Sequence, residues 1–150
     1  MATPHDPTDR PAVERLPQVV EGDFGPVTMR VDRALPGIFR IQITGEGGHV
    51  DAAFRRWRHN LSLARKAGLD KILVVLDLTG KVIPETDLER MIHKLAAYDV
   101  DQFRVAIVQT RHERQNQDEL GVLLAMEQGI SVGVFPDEAS ALLWLRHGAR

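Results

Sequence analysis

The chain has 150 residues, of which 43% are hydrophobic and 27% charged, and these values are typical of a single globular domain. It contains no cysteine, which excludes a disulfide scaffold, a thiol nucleophile and a cysteine-ligated metal site. The formal net charge of −2 gives no electrostatic reason to expect nucleic acid as a partner.

The first 26 residues differ in composition from the rest of the chain. They hold five of the eight prolines, which disfavour both helix and central strand: Pro4, Pro7, Pro11, Pro17 and Pro26. They contain no apolar core of the kind that a signal peptide needs, and no run in the chain approaches a membrane span. We therefore predict a flexible tail over residues 1–16, a domain over residues 17–150, a cytoplasmic location and no membrane insertion.

The domain begins with a pattern typical of a β-hairpin. Val27, Met29 and Val31 alternate with polar residues, and a second strand from Ile38 follows a turn at residues 35–37. Residues 45–48, rich in glycine, are then predicted to form a loop that leads into a helix. That helix has apolar residues at steps of three and four and ends at a glycine: Val50, Phe54, Trp57, Leu61, Ala64 and Gly68.

Strands and helices then alternate to the end of the chain. Residues 72–76 form a continuous apolar run, typical of a strand buried on both faces, and residues 103–108 predict another. Residues 109–118 lack apolar members and are predicted to be a loop before a helix from Glu119. A strand over residues 132–135 and a helix from Pro136 follow. The order predicts an α/β fold with a five-stranded mixed sheet and about four helices, in which Trp57 and Trp144 belong to the core.

The exit of the strand 72–76 is the site that the residues themselves indicate. Asp77, Thr79 and Gly80 lie there, and open α/β sheets bind ligands outside the carboxyl ends of their strands. Asp77 can accept a hydrogen bond from a ligand or partner, or from nearby backbone amides. Thr86 and Glu89 have the spacing of a capping box, which predicts that Thr86 caps the next helix.

The chain resembles a known family in the strand exit 77–80, the strand 103–108 and most of all in the closing segment 130–145, which ends in Ala141-Leu142-Leu143-Trp144-Leu145. These segments are similar to the SpoIIAA-like family of STAS domains, which are bacterial relatives of anti-sigma factor antagonists and also resemble lipid-binding domains of the SEC14 type. The resemblance extends from about residue 27 to residue 146.

The resemblance implies a non-enzymatic regulatory module that binds a protein partner near the exit of the strand 72–76. It implies a binding corner at Asp77, Thr79, Gly80 and Thr86. In the antagonists a Ser or Thr in an Asp-Ser-Ser-Gly pattern is phosphorylated, and Thr86, within residues 84–87, is the hydroxyl here that could serve as phosphoacceptor. We expect no nucleic acid partner, no metal and no cofactor, and a homodimer stays open.

Two alternatives remain. One is a carrier or sensor of a small apolar or lipid-like ligand, held in a pocket between sheet and helices. The other is an enzyme, since residues 129–133 match Gly-x-Ser-x-Gly, with Asp137 and His147 further on. However, that serine follows a helix and precedes a strand, which is the reverse of a hydrolase elbow. A buried apolar cavity would favour the carrier.

Overall fold

The computed structural model describes residues 17–148, so the predicted tail over residues 1–16 lies outside the described part. Within residues 17–148 there are six strands and four α-helices. The strands are β1 Gln18–Val20, β2 Val27–Asp32, β3 Ile38–Gly47, β4 Lys71–Gly80, β5 Arg104–Gln109 and β6 Ser131–Phe135. The helices are α1 Val50–Lys66, α2 Glu85–Leu95, α3 His112–Glu127 and α4 Glu138–His147, and a 3₁₀ turn spans Val100–Gln102.

All six strands form one mixed sheet in the order β1-β2-β3-β4-β5-β6. The first two pairings, β1 with β2 and β2 with β3, are antiparallel, and the pairings from β3 to β6 are parallel. In the middle of the sheet Val74 pairs with Ile41 on one side and with Ile107 on the other. The predicted mixed α/β sheet is therefore confirmed, with β4 and β5 in its buried centre.

The sheet separates two apolar cores because alternate residues of a strand point to opposite faces. In β4 and β5, Ile72, Val74, Val105 and Ile107 join the larger core, which also contains buried residues of α1, α2 and α3. The residues between them, Leu73, Ala106 and Val108, join a smaller core with Ala141 and Leu145 of α4. Three helices thus lie on one face and α4 lies on the other.

The structure differs from the sequence prediction at the ends of several elements. The sheet has six strands rather than five, because residues 18–20 pair with β2 despite the prolines on either side. The predicted loop at residues 45–48 is mostly strand, since β3 pairs with β4 as far as Gly47 and Gly80. The predicted loop at residues 109–118 is mostly helix, because α3 begins at His112.

The predicted capping box at Thr86 is wrong. Helix α2 begins two residues earlier, at Glu85, with Pro84 in the capping position, and no side chain caps it. Thr86 therefore lies inside the first turn and is exposed. The two tryptophans are also less buried than predicted: Trp57 and Trp144 are half-buried at the margins of the two cores.

Two substitutions test where helix capping stabilises the fold. The Asp137 carboxylate accepts a hydrogen bond from the Ser140 amide at 2.8 Å, so Asp137→Ala should lower the melting temperature by a few degrees. Thr86→Ala should leave it nearly unchanged, since Thr86 caps nothing. Thermal unfolding followed by circular dichroism measures both, and equal losses would contradict this assignment of the caps.

The Asp137 effect should also depend on pH. The hydrogen bond from the Ser140 backbone amide lowers the pKa of Asp137 below its usual value. A lowered pKa in the folded state means that the stabilisation is present above the unfolded-state pKa and is lost as pH falls through the folded-state pKa. The difference between wild type and Asp137→Ala should therefore close in acid.

Candidate functional site

A cavity of about 160 Å³ lies in the larger core, between the sheet and helices α1, α2 and α3. Its walls are mostly apolar and come from strands and helices alike, and include Ile43, Leu76, Leu88, Met91, Ile107 and Ala125. An apolar cavity of about 150 Å³ in a protein core can hold benzene. The space is therefore large enough for a small organic molecule of roughly six to ten non-hydrogen atoms.

The cavity exists because α3 turns its smallest and most polar residues toward the sheet. Arg114, Asp118, Gly121 and Ala125 follow one another at steps of four, three and four, which places them on one helical face. A methyl group added to Gly121 would have no atom within 4 Å. Leu123, on the opposite side of the helix, is 59% exposed. Leu120 and Leu124 of α3 pack against the larger core but are only partly buried, so the apolar side chains of α3 fill only part of the space below it.

A buried arginine lies in the cavity wall. Arg56 of α1 is only 6% exposed, and its Nη1 donates a hydrogen bond to the Phe24 carbonyl oxygen at 3.0 Å. None of the ion pairs within residues 17–148 involves it. Burial, together with the neighbouring charge of Arg55, lowers the pKa of Arg56 to about 10. The guanidinium is therefore still protonated at neutral pH, and it is a desolvated cation without a carboxylate partner.

One helical turn later, the Asn60 amide completes a polar patch in the same wall. Asn60 is 2% exposed, and its Nδ2 makes a weak contact of 3.6 Å with the Met29 sulfur. Its Oδ1 is buried with no hydrogen-bond donor. An unsatisfied buried polar atom costs about 1–3 kcal/mol, so a native protein that keeps one calls for an explanation. A bound ligand or water with a hydrogen-bond donor would supply the missing partner.

A second polar group faces the cavity from α3. The Asp118 side chain lines the cavity, and its Oδ2 is buried without a hydrogen-bond partner. Burial raises the pKa of Asp118 above its usual value, opposed by a hydrogen bond with Gln109 and by the charge of Arg114. The cavity therefore has an apolar body with polar groups at separate places, the arrangement found in small-molecule sites.

The sequence-predicted corner lies outside the cavity, and three of its four residues sit together at the end of β4. Asp77 is exposed, and its Oδ1 accepts two hydrogen bonds from Arg111, at 2.9 Å from Nε and 2.7 Å from Nη2. The Thr79 hydroxyl donates to the Gly45 carbonyl at 3.3 Å. Gly80, with a φ of +80°, ends the strand. Thr86 lies six residues further on, and no hydrogen bond between described residues connects it to the other three.

The loop between β4 and α2 is held in place by α3. Arg114, which is buried, donates to the carbonyl oxygens of Gly80 at 3.0 Å and Lys81 at 3.2 Å. Gln117 donates to the Ile83 carbonyl at 2.7 Å, and the Ile83 side chain lines the cavity. These bonds explain why the start of α3 lacks apolar residues: its inward side chains satisfy backbone carbonyls.

Sequence reasoning missed the groups that distinguish the cavity, namely Arg56, Asn60 and Asp118. The signal available on α1 was the spacing of small residues. Ala53 and Ala64 lie on the same helical face as Arg56 and Asn60, and both alanines are buried. Alanines at these steps indicate a face packed closely on the sheet, which would have placed the two polar residues inside.

No family model matches the chain, and no curated protein or solved structure matches it either. The resemblance to SpoIIAA-like STAS domains therefore stays a prediction from the sequence. Among residues 17–148 no group of three or more His, Cys, Asp or Glu side chains is placed to hold a metal ion. No helix in the same range is both long and apolar enough to cross a membrane.

Gly121→Ala tests whether the space below α3 is empty. The added methyl group meets no atom within 4 Å, and alanine is favoured over glycine inside a helix by roughly 0.5–1 kcal/mol. The free energy of unfolding from urea denaturation should therefore rise by about that amount. Destabilisation would show that α3 packs more tightly at Gly121 than the structure indicates.

Proposed function

We propose that the protein is a non-enzymatic module that binds a small apolar ligand in the cavity between the sheet and helices α1, α2 and α3. The observation that carries the proposal is the cavity of about 160 Å³. Two of the residues that line it, Asn60 and Asp118, each have a buried oxygen atom without a hydrogen-bond partner. Filling such a space with a leucine would be favourable for stability, since cavities cost stability in proportion to their volume. A cavity that serves binding accounts for the glycine and alanine on α3.

The resemblance to STAS domains supports the same proposal. These domains are similar to lipid-binding domains of the SEC14 type, and a carrier or sensor of a small apolar ligand was one of the functions that the sequence left open. The cavity volume favours a molecule smaller than a membrane lipid. We therefore propose a ligand about the size of a substituted benzene or a six-carbon chain.

Toluene is a suitable neutral probe for this proposal because it is close in size to the benzene that such cavities hold. Titration into the wild-type protein, followed by NMR, should shift the methyl signals of Leu88, Met91 and Ile107. Gly121→Leu should remain folded and lose these shifts, because the new side chain occupies the space.

The matched control is Asn116→Leu, which adds a leucine at an exposed position of the same helix. This variant should bind toluene like the wild type. If the wild type shows no saturable binding, or if Gly121→Leu binds as well as Asn116→Leu, the cavity is not a binding site.

Protein contact at the corner formed by residues 77–86 is a second candidate function. The observation that favours it is the exposure of Val82, which is 45% exposed between the end of β4 and the start of α2. Thr79 and Thr86 are exposed on either side of it. The corner thus presents one apolar side chain between two exposed hydroxyl groups.

Capture of partners from the native host tests the corner. Val82→Asp and Thr86→Glu should both reduce the recovery of a partner protein, while Leu143→Asp should not. Leu143 is the control because it is 65% exposed on α4, on the other face of the sheet. Mass spectrometry of Thr86 shows whether it carries phosphate. Identical partners for all four proteins and an unmodified Thr86 would exclude the corner as a regulated contact.

A further inference from the structure

The cavity carries information about its ligand beyond size. Among the described residues that line the cavity, Arg56 is the only cation and Asp118 of α3 is the only carboxylate. The two side chains form no ion pair. Arg56 therefore has no carboxylate within ion-pair distance among the described residues.

An unpaired guanidinium in an apolar wall is energetically unfavourable. Taking a charge out of water without a partner costs far more than burying a neutral group. The Phe24 carbonyl satisfies one of the five N–H donors of Arg56, and it is neutral. A leucine or methionine at this position would fill the wall without that cost. An anionic group on a ligand would balance this charge.

Arg56 and Asn60 lie one turn apart on the same face of α1, so their side chains are neighbours. A guanidinium binds a carboxylate through paired hydrogen bonds, and an adjacent amide can donate a further one. The Asn60 Nδ2, which makes a 3.6 Å contact with the Met29 sulfur, is the group of this amide that can donate to a carboxylate; the Oδ1 is an acceptor and is not satisfied by one. Together the two residues can hold one carboxylate at the edge of an apolar cavity.

We propose that the ligand is a small apolar monocarboxylate, whose carboxylate binds Arg56 and Asn60 and whose hydrocarbon part fills the cavity below α3. This inference rests on the proposed function, since it requires that the cavity binds a ligand. It adds the chemical class: an aromatic or short aliphatic acid of roughly six to ten non-hydrogen atoms. A phosphate monoester is less suited, because one guanidinium does not balance its two charges.

The test compares three probes of nearly equal size: benzoate, benzyl alcohol and toluene, each titrated into the full chain at neutral pH by calorimetry and NMR. Benzoate should bind the wild type about 10- to 100-fold more tightly than benzyl alcohol, the range expected for a hydrogen-bonded ion pair. Hexanoate against hexanol gives the same comparison for an aliphatic chain. Equal affinities for acid and alcohol in both pairs would overturn the proposal.

Two variants separate the role of Arg56 from that of net charge. Arg56→Gln should lose the preference for benzoate and keep toluene binding, which shows that the cavity is still formed. Arg55→Gln removes the same charge from an exposed neighbour on α1 and should keep the preference. If Arg55→Gln and Arg56→Gln lose it equally, the preference reflects overall charge and the proposed carboxylate site is wrong.

The same measurements separate the two proposals. Toluene binding without a preference for benzoate refutes the carboxylate site and leaves the apolar cavity as a binding site. Absence of binding by toluene, benzoate and hexanoate alike refutes both. Benzoate binding that survives Gly121→Leu would place the anion outside the cavity and refute the proposed pose.

Discussion

The packing of α3 against the sheet is the constraint on which the rest of the candidate site depends. A helix of a globular domain normally turns an apolar stripe toward the core. Helix α3 turns Arg114, Asp118, Gly121 and Ala125 inward beside the partly buried Leu120 and Leu124, while Leu123 faces solvent. Hydrogen bonds from Arg114 and Gln117 hold the start of the helix, and the helix also contacts β6. The space between the helix and the sheet is not completely filled.

The electrostatics of the cavity follow from the hydrogen-bond partners of the polar residues in and beside its wall. Arg114 and Gln117 donate to the backbone carbonyls of the loop after β4, at distances of 2.7–3.2 Å. Arg56 has a single carbonyl as its partner and is otherwise unpaired within the described chain. Of the two arginines, Arg114 donates to backbone carbonyls and is not among the residues that line the cavity, whereas Arg56 lines it. That difference is why Arg56, and not Arg114, is the expected anchor for an anion.

The sequence predicted the elements of the fold better than the site. Strands β4 and β5 could be predicted because their continuous apolar runs are typical of strands buried on both faces. The start of α3 could not, because its inward residues are polar and satisfy carbonyls from a segment about 34 residues away in the chain. Pairings of that kind leave no local pattern. Arg56 and Asn60 were missed for a related reason, since a polar residue on a helix is ordinarily assigned to the solvent side.

The cavity and the corner at residues 77–86 share two residues, Leu78 and Ile83, and Ile83 connects the two candidate functions. The Ile83 side chain lines the cavity, its carbonyl accepts from Gln117 of α3, and the adjacent Val82 is exposed. A ligand that displaces Ile83 would move the segment that presents Val82, because four residues of backbone join Gly80 to the start of α2. Coupling between two sites is reciprocal, so a partner that fixes this segment would change the affinity for the ligand by the same factor. A ligand cavity below a loop and a contact surface above it would allow such coupling to operate.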